Sequence, residues 1–470
     1  MAENTREIIL DTLLSIEKGE QYSNQLIRAV LDKYNYLDAR DKAFIKRVTE
    51  GTIERQIELD YYLDHFSTVP VRKMKPLVRT LLRMSVYQLL YMDAVPDSAV
   101  CNEACKLAVK RKFGNLRGFV NGVLRNLSRS REQLPMPDEK TEPVRYLSVK
   151  YSMPEWLIGF WLEEYGRKIT ATMLEEIMAV HPVSVRFSTR LSEKERELLK
   201  GQLAQAGAEI REGAYLPYLC RLEHVDNISA LPGFAEGQWT VQDVSSALAV
   251  ELAGIQKTDF VLDACAAPGG KSILVAEKAK KVLSRDVSAE KTERIRENVL
   301  RMRMDNIEIQ EWDARCFDPE KEGKADVVLL DVPCSGLGVM GKKRDIKYHI
   351  TREGMESLHA LQREIVAVCS RYVKPGGTLL YSTCTVNPAE NEAMVRYIAE
   401  ELGFAPVSVE EELPEALKAQ KRETAGLRDA EGKKDGLNAE ERSACIQLLP
   451  GYMAADGFFI AKFRRPLKAD

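Results

Sequence analysis

Residues 259–271 read DFVLDACAAPGGK. An apolar run of strand length closes on Asp263, and Cys265, Ala266, Ala267, Pro268, Gly269 and Gly270 follow, with Lys271 behind them. Tiny side chains and paired glycines let a backbone come close to a ligand where a strand turns into a helix. The spacing is neither the three-glycine dinucleotide fingerprint nor the Walker phosphate loop. Outward from this stretch, VLSRDV (282–287) leads into the helical pattern SAEKTERIRENVLRM (288–302), and IEIQEW (307–312) is followed by Asp313. DVVLLDV (326–332) runs into Pro333, Cys334, Ser335 and Gly336, and the helical pattern 354–373 precedes TLLYSTC (378–384). Short apolar strands alternating with amphipathic helices predict a doubly wound, Rossmann-like α/β sheet with a largely parallel core. Ligands of such sheets bind beyond the carboxyl ends of the strands.

Carboxylates stand at those ends. Asp286 closes the second strand and suits the two ribose hydroxyls of a nucleoside ligand. Asp313 after the third can meet an adenine amino group, and Asp331 after the fourth completes the rim. One such aspartate is usually a loop residue or a helix cap. Four in successive units predict a nucleoside-type cofactor.

The rest of the 470-residue chain predicts further domains. Residues 1–132 carry helical periodicity throughout (Ile8, Ile9, Thr12, Leu13, Ile16; Leu77, Leu81, Met84, Gln88, Tyr91) and read as an all-α domain. Residues 132–143 (EQLPMPDEKTEP) are polar and proline-rich, a linker. Residues 144–238 alternate helix and strand patterns as a small α+β domain, and 239–470 form the α/β domain. Residues 410–442, with 10 acidic and 7 basic side chains and little periodicity, read as a mobile insertion.

Composition excludes several classes. Hydrophobic residues at 45% and charged residues at 30% are those of a globular protein, and no apolar run is long enough to span a bilayer. The N-terminus lacks the pattern of an export signal. Nine scattered cysteines, without a C-x-x-C pair, predict neither a disulfide scaffold nor a metal site and fit a reducing cytoplasm. Cys101 and Cys105 read as core. The expectation is a cytoplasmic monomer without metal and without membrane association. The net charge of −3 hides a segment, 72–131, with 13 basic and 3 acidic residues. Such a field suits a phosphate-bearing partner, although a solvated helix surface reads the same way.

VLDACAAPGGKS (261–272), DVPCSG (331–336) and STCTVNPAENE (382–392), in this order, resemble the RNA cytosine-C5 methyltransferases, which use S-adenosylmethionine. The resemblance covers 240–470 and includes the closing LPGYMAADGFFIAKF (449–463). The helical 1–132 region is similar to the RNA-binding antiterminator NusB. That fusion is the layout of the bacterial RsmB (Sun/Fmu) type within the RsmB/NOP family, which modifies 16S ribosomal RNA. The resemblance implies a class I methyltransferase fold for the α/β domain and a 16S rRNA substrate. It implies that Cys384 is the nucleophile, that Cys334 assists product release, and that Asp331 hydrogen-bonds the cytosine N3/N4 edge. It places Lys271 against that carboxylate or near the nucleophile; the other reading of Lys271 is an exposed lysine in a first helical turn. It assigns the cofactor to loop 265–271, Asp286, Asp313 and Asp331.

The chemistry needs those residue types. Carbon 5 of cytosine is a poor nucleophile, and a thiolate added at carbon 6 makes it enamine-like. After methyl transfer the carbon-5 proton must leave so that the thiolate can depart. Cys220, Cys369 and Cys445 lack such a context and read as structural. The sequence departs from the family pattern at Gly341-Lys342-Lys343-Arg344-Asp345-Ile346-Lys347-Tyr348. There Arg344 takes a proline position and Tyr348 a tryptophan position. This basic, aromatic loop is expected to face a phosphate and a base.

Three other readings stand at this point. In one, an RNA-binding module is tethered to an inactive methyltransferase-like domain, for which two cysteines have no reason. In another, an amino-methylating enzyme would end the fourth strand with Pro-Pro-aromatic where this chain has Val332, Pro333 and Cys334. In the third, the substrate is tRNA.

Overall fold

The computed structural model describes residues 4–19, 23–225 and 227–467. They form two compact units, divided between Glu163 and Glu164. The first also takes in Lys342–His349.

The first unit is helical: α1 (Thr5–Glu17), α2 (Ser23–Lys33), α3 (Ala39–Glu54), α4 (Gln56–Phe66), α5 (Pro76–Tyr91), α6 (Asp97–Lys110), α7 (Arg117–Arg129) and α8 (Pro143–Lys150). The sequence punctuates them. Asn4 and Asp38 cap α1 and α3 by accepting backbone N–H groups, and Pro76 opens α5 where no N–H is needed. Buried residues of α5 run almost continuously from Val78 to Leu89, as a helix surrounded by others requires. Cys101 and Cys105 are buried, in keeping with core packing.

Helix α9 (Glu155–Ile177) carries the chain into the second unit, breaking its helical path at Gly166. A small antiparallel sheet of order β2-β3-β1-β4 comprises β1 (Val183–Phe187), β2 (Glu209–Glu212), β3 (Leu219–Glu223) and β4 (Trp239–Val241), with α10 (Glu193–Gln205) following β1. Val185, Phe187, Leu199, Leu203 and Trp239 make its core.

Next come α11 (Val244–Leu252), β5 (Phe260–Asp263), α12 (Gly270–Ala276), β6 (Lys281–Asp286), α13 (Ala289–Arg301), β7 (Ile307–Glu311) and β8 (Ala325–Asp331). The short α14 (Ile346–His349) lies in the segment assigned to the first unit. The remainder is α15 (Arg352–Cys369), β9 (Val373–Thr383), α16 (Glu392–Arg396), β10 (Ala405–Pro406), α17 (Glu415–Ala430), α18 (Ala439–Ser443), β11 (Cys445–Leu448) and β12 (Phe458–Arg464). The large sheet runs β10-β12-β9-β8-β5-β6-β7, with β11 also pairing β12. Neighbours from β7 to β9 are parallel, and β12 returns antiparallel against β9. No helix among the described residues is long and apolar enough to cross a membrane.

Two expectations need correction. Segment 410–442 is not a mobile insertion. Helix α17 buries Leu417 and Thr424, and Lys421 donates to the carbonyls of Arg442 (2.9 Å) and Cys445 (2.8 Å). Arg428 pairs with the buried Glu392 at 3.3 Å. The helix packs through a narrow apolar seam and long charged side chains, a pattern with little hydrophobic periodicity to detect. The 341–348 loop, in turn, does not hold its basic and aromatic groups free. Within the first unit, Arg344 pairs with Glu50 (2.6 Å) and Glu54 (2.9 Å). The Lys347 ammonium donates to the Glu54 carbonyl at 2.7 Å, and the Tyr348 hydroxyl donates to the Ile53 carbonyl at 2.8 Å. The acidic end of α3, with its unsatisfied carbonyls, is the complement that sequence inspection did not supply.

Candidate active site

The ends of β5, β6, β7, β8 and β9, and the loops that follow them, carry the singled-out residues. Between β5 and α12 the loop is tightly bonded. The Ala266 N–H donates to the Arg285 carbonyl (2.9 Å), the Ala267 N–H to the Asp286 carboxylate (2.9 Å), and the Pro268 carbonyl accepts from the Asn298 amide (3.0 Å). Gly269 caps α12 at φ 100°, and a Cβ there would lie 3.3 Å from Ile295, so both conformation and space favour glycine. Burial pushes the Cys265 thiol up, which leaves the backbone as this residue's contribution to the loop. Gly270 opens α12, and Lys271 follows.

Lys271 is not an exposed first-turn lysine. Its side chain is 12% exposed, and its ammonium donates to Asp331 (2.6 Å) and to the Ser246 hydroxyl (3.2 Å) over the ring of Phe458. Burial alone would lower its pKa, but the Asp331 carboxylate outweighs it, with Asp263 and Cys384 adding in the same sense, and holds it above its ordinary value. Asp331 also accepts from the Ser382 hydroxyl at 3.1 Å, two residues before Cys384.

The Cys334 and Cys384 sulfurs are 3.2 Å apart, both half-buried. The Cys384 sulfur and burial together push the Cys334 thiol well up. Sequence reasoning placed Lys271, Asp331, Cys334 and Cys384 in one site, and the structure brings them together. That reasoning assigned no role to Ser246, Ser382 or Phe458, although Ser382 and Phe458 lie within the quoted motifs 382–392 and 449–463.

Asp286 is buried, accepts from the Val287 N–H (2.8 Å) as well as from Ala267, and pairs with Lys291 at 3.0 Å. Asp313 is held bidentately by Arg315, which keeps its carboxyl below the usual range. Asp263 is buried at the end of β5. One of its oxygens accepts from Ser272 (2.6 Å) and the other has no partner. The three possible metal ligands Glu209, Glu223 and His224 cluster on the small sheet and include none of these residues.

In the first unit, a groove of about 620 Å³ lies between α6 and α7. Lys106, Lys110, Arg117, Arg125, Asn102 and Asn121 line it. Much of the basic excess of 72–131 is matched internally: Arg79 pairs with Glu17, Arg83 with Asp60 and Arg111 with Asp11. Arg117 and Arg125 have no acidic partner among the described residues.

Residues 250–464 match the profile of the 16S rRNA methyltransferase RsmB/F family, and residues 3–129 match the NusB family. The probable ribosomal RNA small subunit methyltransferase B of Bacillus subtilis (strain 168) is 34% identical, over 98% of this chain and 99% of the relative. The chain belongs to the 16S rRNA methyltransferase RsmB/F family. Two solved structures share the fold: PH0851 (TM-score 0.77, 23% identity, 99% of this chain and 100% of that one) and NSun6 from Pyrococcus horikoshii with SFG (TM-score 0.54, 19% identity, 66% and 98%). This RsmB/F member is a methyltransferase acting on RNA, with S-adenosylmethionine as its cofactor. The donor set fits that group. The unpartnered, buried Asp263 oxygen can accept from a cationic amine, and Asp286 and Asp313 offer acceptors for hydroxyl and amino groups.

Proposed function

We propose that this protein methylates carbon 5 of a cytosine in 16S ribosomal RNA through a covalent bond between Cys384 and carbon 6. The observation that carries the proposal is the pair of sulfurs 3.2 Å apart beside the Lys271–Asp331 ion pair. Loop 265–271, Asp286, Asp313 and Asp331 hold the cofactor, which supplies an electrophilic methyl group.

Cys384 attacks because its neighbour keeps the proton. A Cys334 S–H aimed at the Cys384 sulfur stabilises the thiolate, and the Lys271 cation adds favourable field. Asp331, oriented by Lys271 and Ser382, binds the N3/N4 edge of the cytosine. Once carbon 5 is methylated, its proton passes to solvent water and the electron pair of that carbon–hydrogen bond forms the C5–C6 double bond. The bond from Cys384 to carbon 6 breaks, with its electrons returning to the Cys384 sulfur. The Cys334 S–H then meets the departing thiolate, which lowers the cost of release.

Residues up to 132 form the RNA-binding domain, 144–238 an intermediate domain and 239–470 the catalytic domain. Arg117 and Arg125, without acidic partners among the described residues, suit an RNA backbone, with the Asn102 and Asn121 amides able to reach phosphate or sugar. Nine free cysteines suit a reducing compartment, and the protein is read as a cytoplasmic monomer that uses no metal.

The test uses 16S rRNA from cells lacking the gene. Cys384→Ala should abolish transfer of labelled methyl while cofactor binding persists. Cys334→Ala should accumulate a denaturation-resistant protein–RNA band. Turnover by Cys384→Ala, or a band that needs Cys334 and survives loss of Cys384, overturns the assignment. Bisulfite sequencing of rRNA and tRNA from both strains identifies the target.

A further inference from the structure

One buried carboxylate joins the two loops that carry the sulfurs. Glu390 is fully buried, and one of its oxygens accepts from the Ser335 N–H (2.9 Å) and the Gln362 amide (2.8 Å). The other accepts from the Ser335 hydroxyl and from the Asn387 amide at 2.8 Å. Four donors on two oxygens fill the acceptor capacity of a carboxylate, and no cation is among them.

The placement of the donors gives the arrangement its meaning. Ser335 directly follows Cys334, and its hydroxyl pairs with that of Thr385 at 2.7 Å, which directly follows Cys384. The same Gln362 amide donates to the Pro333 carbonyl at 2.9 Å, on the other side of Cys334. Asn387 lies beyond Thr385 in the Cys384 loop. The backbone is held to match. The Tyr381 hydroxyl donates to the Glu390 carbonyl (2.6 Å), and the Gly338 N–H donates to the Cys384 carbonyl (3.1 Å). Glu390 thus bonds directly to Ser335 and Asn387 and, through Gln362 and Ser335, is linked to Pro333 and Thr385, so that it ties the flanks of Cys334 to the residues following Cys384.

We propose that Glu390 is the positioning residue of the thiol pair, holding the Cys334 and Cys384 loops so that their sulfurs stay in contact. The proposal rests on the two-cysteine reading above. A buried, unpaired carboxylate is costly unless every lone pair is met, so a substitution acts on the donors as much as on the acceptor. Glutamine would set an amide donor against two of the four existing donors. Aspartate, one methylene shorter, would draw the loops out of register.

The test compares the full-length wild type with Glu390→Gln and the milder Ser335→Ala. Three quantities are measured: steady-state methylation of 16S rRNA, cofactor affinity, and the pH profile of Cys384 alkylation by iodoacetamide without RNA. Glu390→Gln should lower kcat at least 30-fold, leave the cofactor Kd within about 3-fold, and displace the alkylation profile; Ser335→Ala should do the same to a smaller degree. Wild-type kcat and an unmoved profile in a folded Glu390→Gln overturn the positioning role. If Glu390→Gln does not fold, Ser335→Ala decides by the same two measurements. Methylation by Cys384→Ala would instead defeat the two-cysteine reading itself, a result separate from either outcome at Glu390.

Discussion

The Lys271 ammonium lies 2.6 Å from the Asp331 carboxylate, joining the first turn of α12 to the end of β8. This pair fixes the charge beside the two sulfurs. Lys271→Met keeps the aliphatic stem and removes the cation, leaving Asp331 with Ser382 alone. A fall in kcat of about 10²–10³-fold is expected, with cofactor affinity changed far less. Single-turnover methyl transfer and calorimetry of cofactor binding check this; an undiminished rate returns Lys271 to a packing role.

Burial raises the Asp263 carboxyl to about 6. A carboxyl whose folded pKa lies above its unfolded value stabilises the fold fully below the unfolded pKa, and that stability is lost as pH rises through the folded value. Between pH ~4 and ~6 this residue should therefore remove up to about 3 kcal/mol. Asp263→Asn should flatten that slope in urea denaturation measured across the interval. An unchanged slope assigns the titration elsewhere.

Arg186 on β1 and Glu277 at the end of α12 form an ion pair at 2.8 Å with both side chains fully buried. Ser188 (2.8 Å) and Thr189 (2.7 Å) hydroxyls also donate to Glu277. Glu277→Ala strands the guanidinium and should cost about 3–5 kcal/mol, whereas Glu277→Gln, which keeps an acceptor, should cost less. Equal denaturation midpoints for all three proteins would contradict the reading.

The α6–α7 groove predicts a salt signature. Arg117→Glu and Arg125→Glu should each weaken rRNA binding and make the slope of log K against log salt shallower by about 0.7–0.9 for each phosphate left without its cation. Fluorescence anisotropy at several salt concentrations checks it. The same substitutions at Arg79, already paired with Glu17, should change the slope less.

The sequence alone determined the alternation of strands and helices, the placement of carboxylates at strand ends, and the two cysteine motifs. Each is local, because strand period, helix period and turn chemistry are written in adjacent residues. Asp263, Asp286 and Asp331 each fall on the last residue of a strand for that reason. The tertiary structure alone decided which groups meet. Ser382 and Ser246 reach the Lys271–Asp331 pair from β9 and α11, and Gln362 reaches Glu390 from α15. The sequence separation between such partners carries no period to read. The charge pattern misled for a related reason. Arg344, Lys347 and Arg428 look solvated in a one-dimensional count, yet Arg344 pairs with Glu50, Lys347 donates to the Glu54 carbonyl and Arg428 pairs with Glu392, partners that only folding supplies.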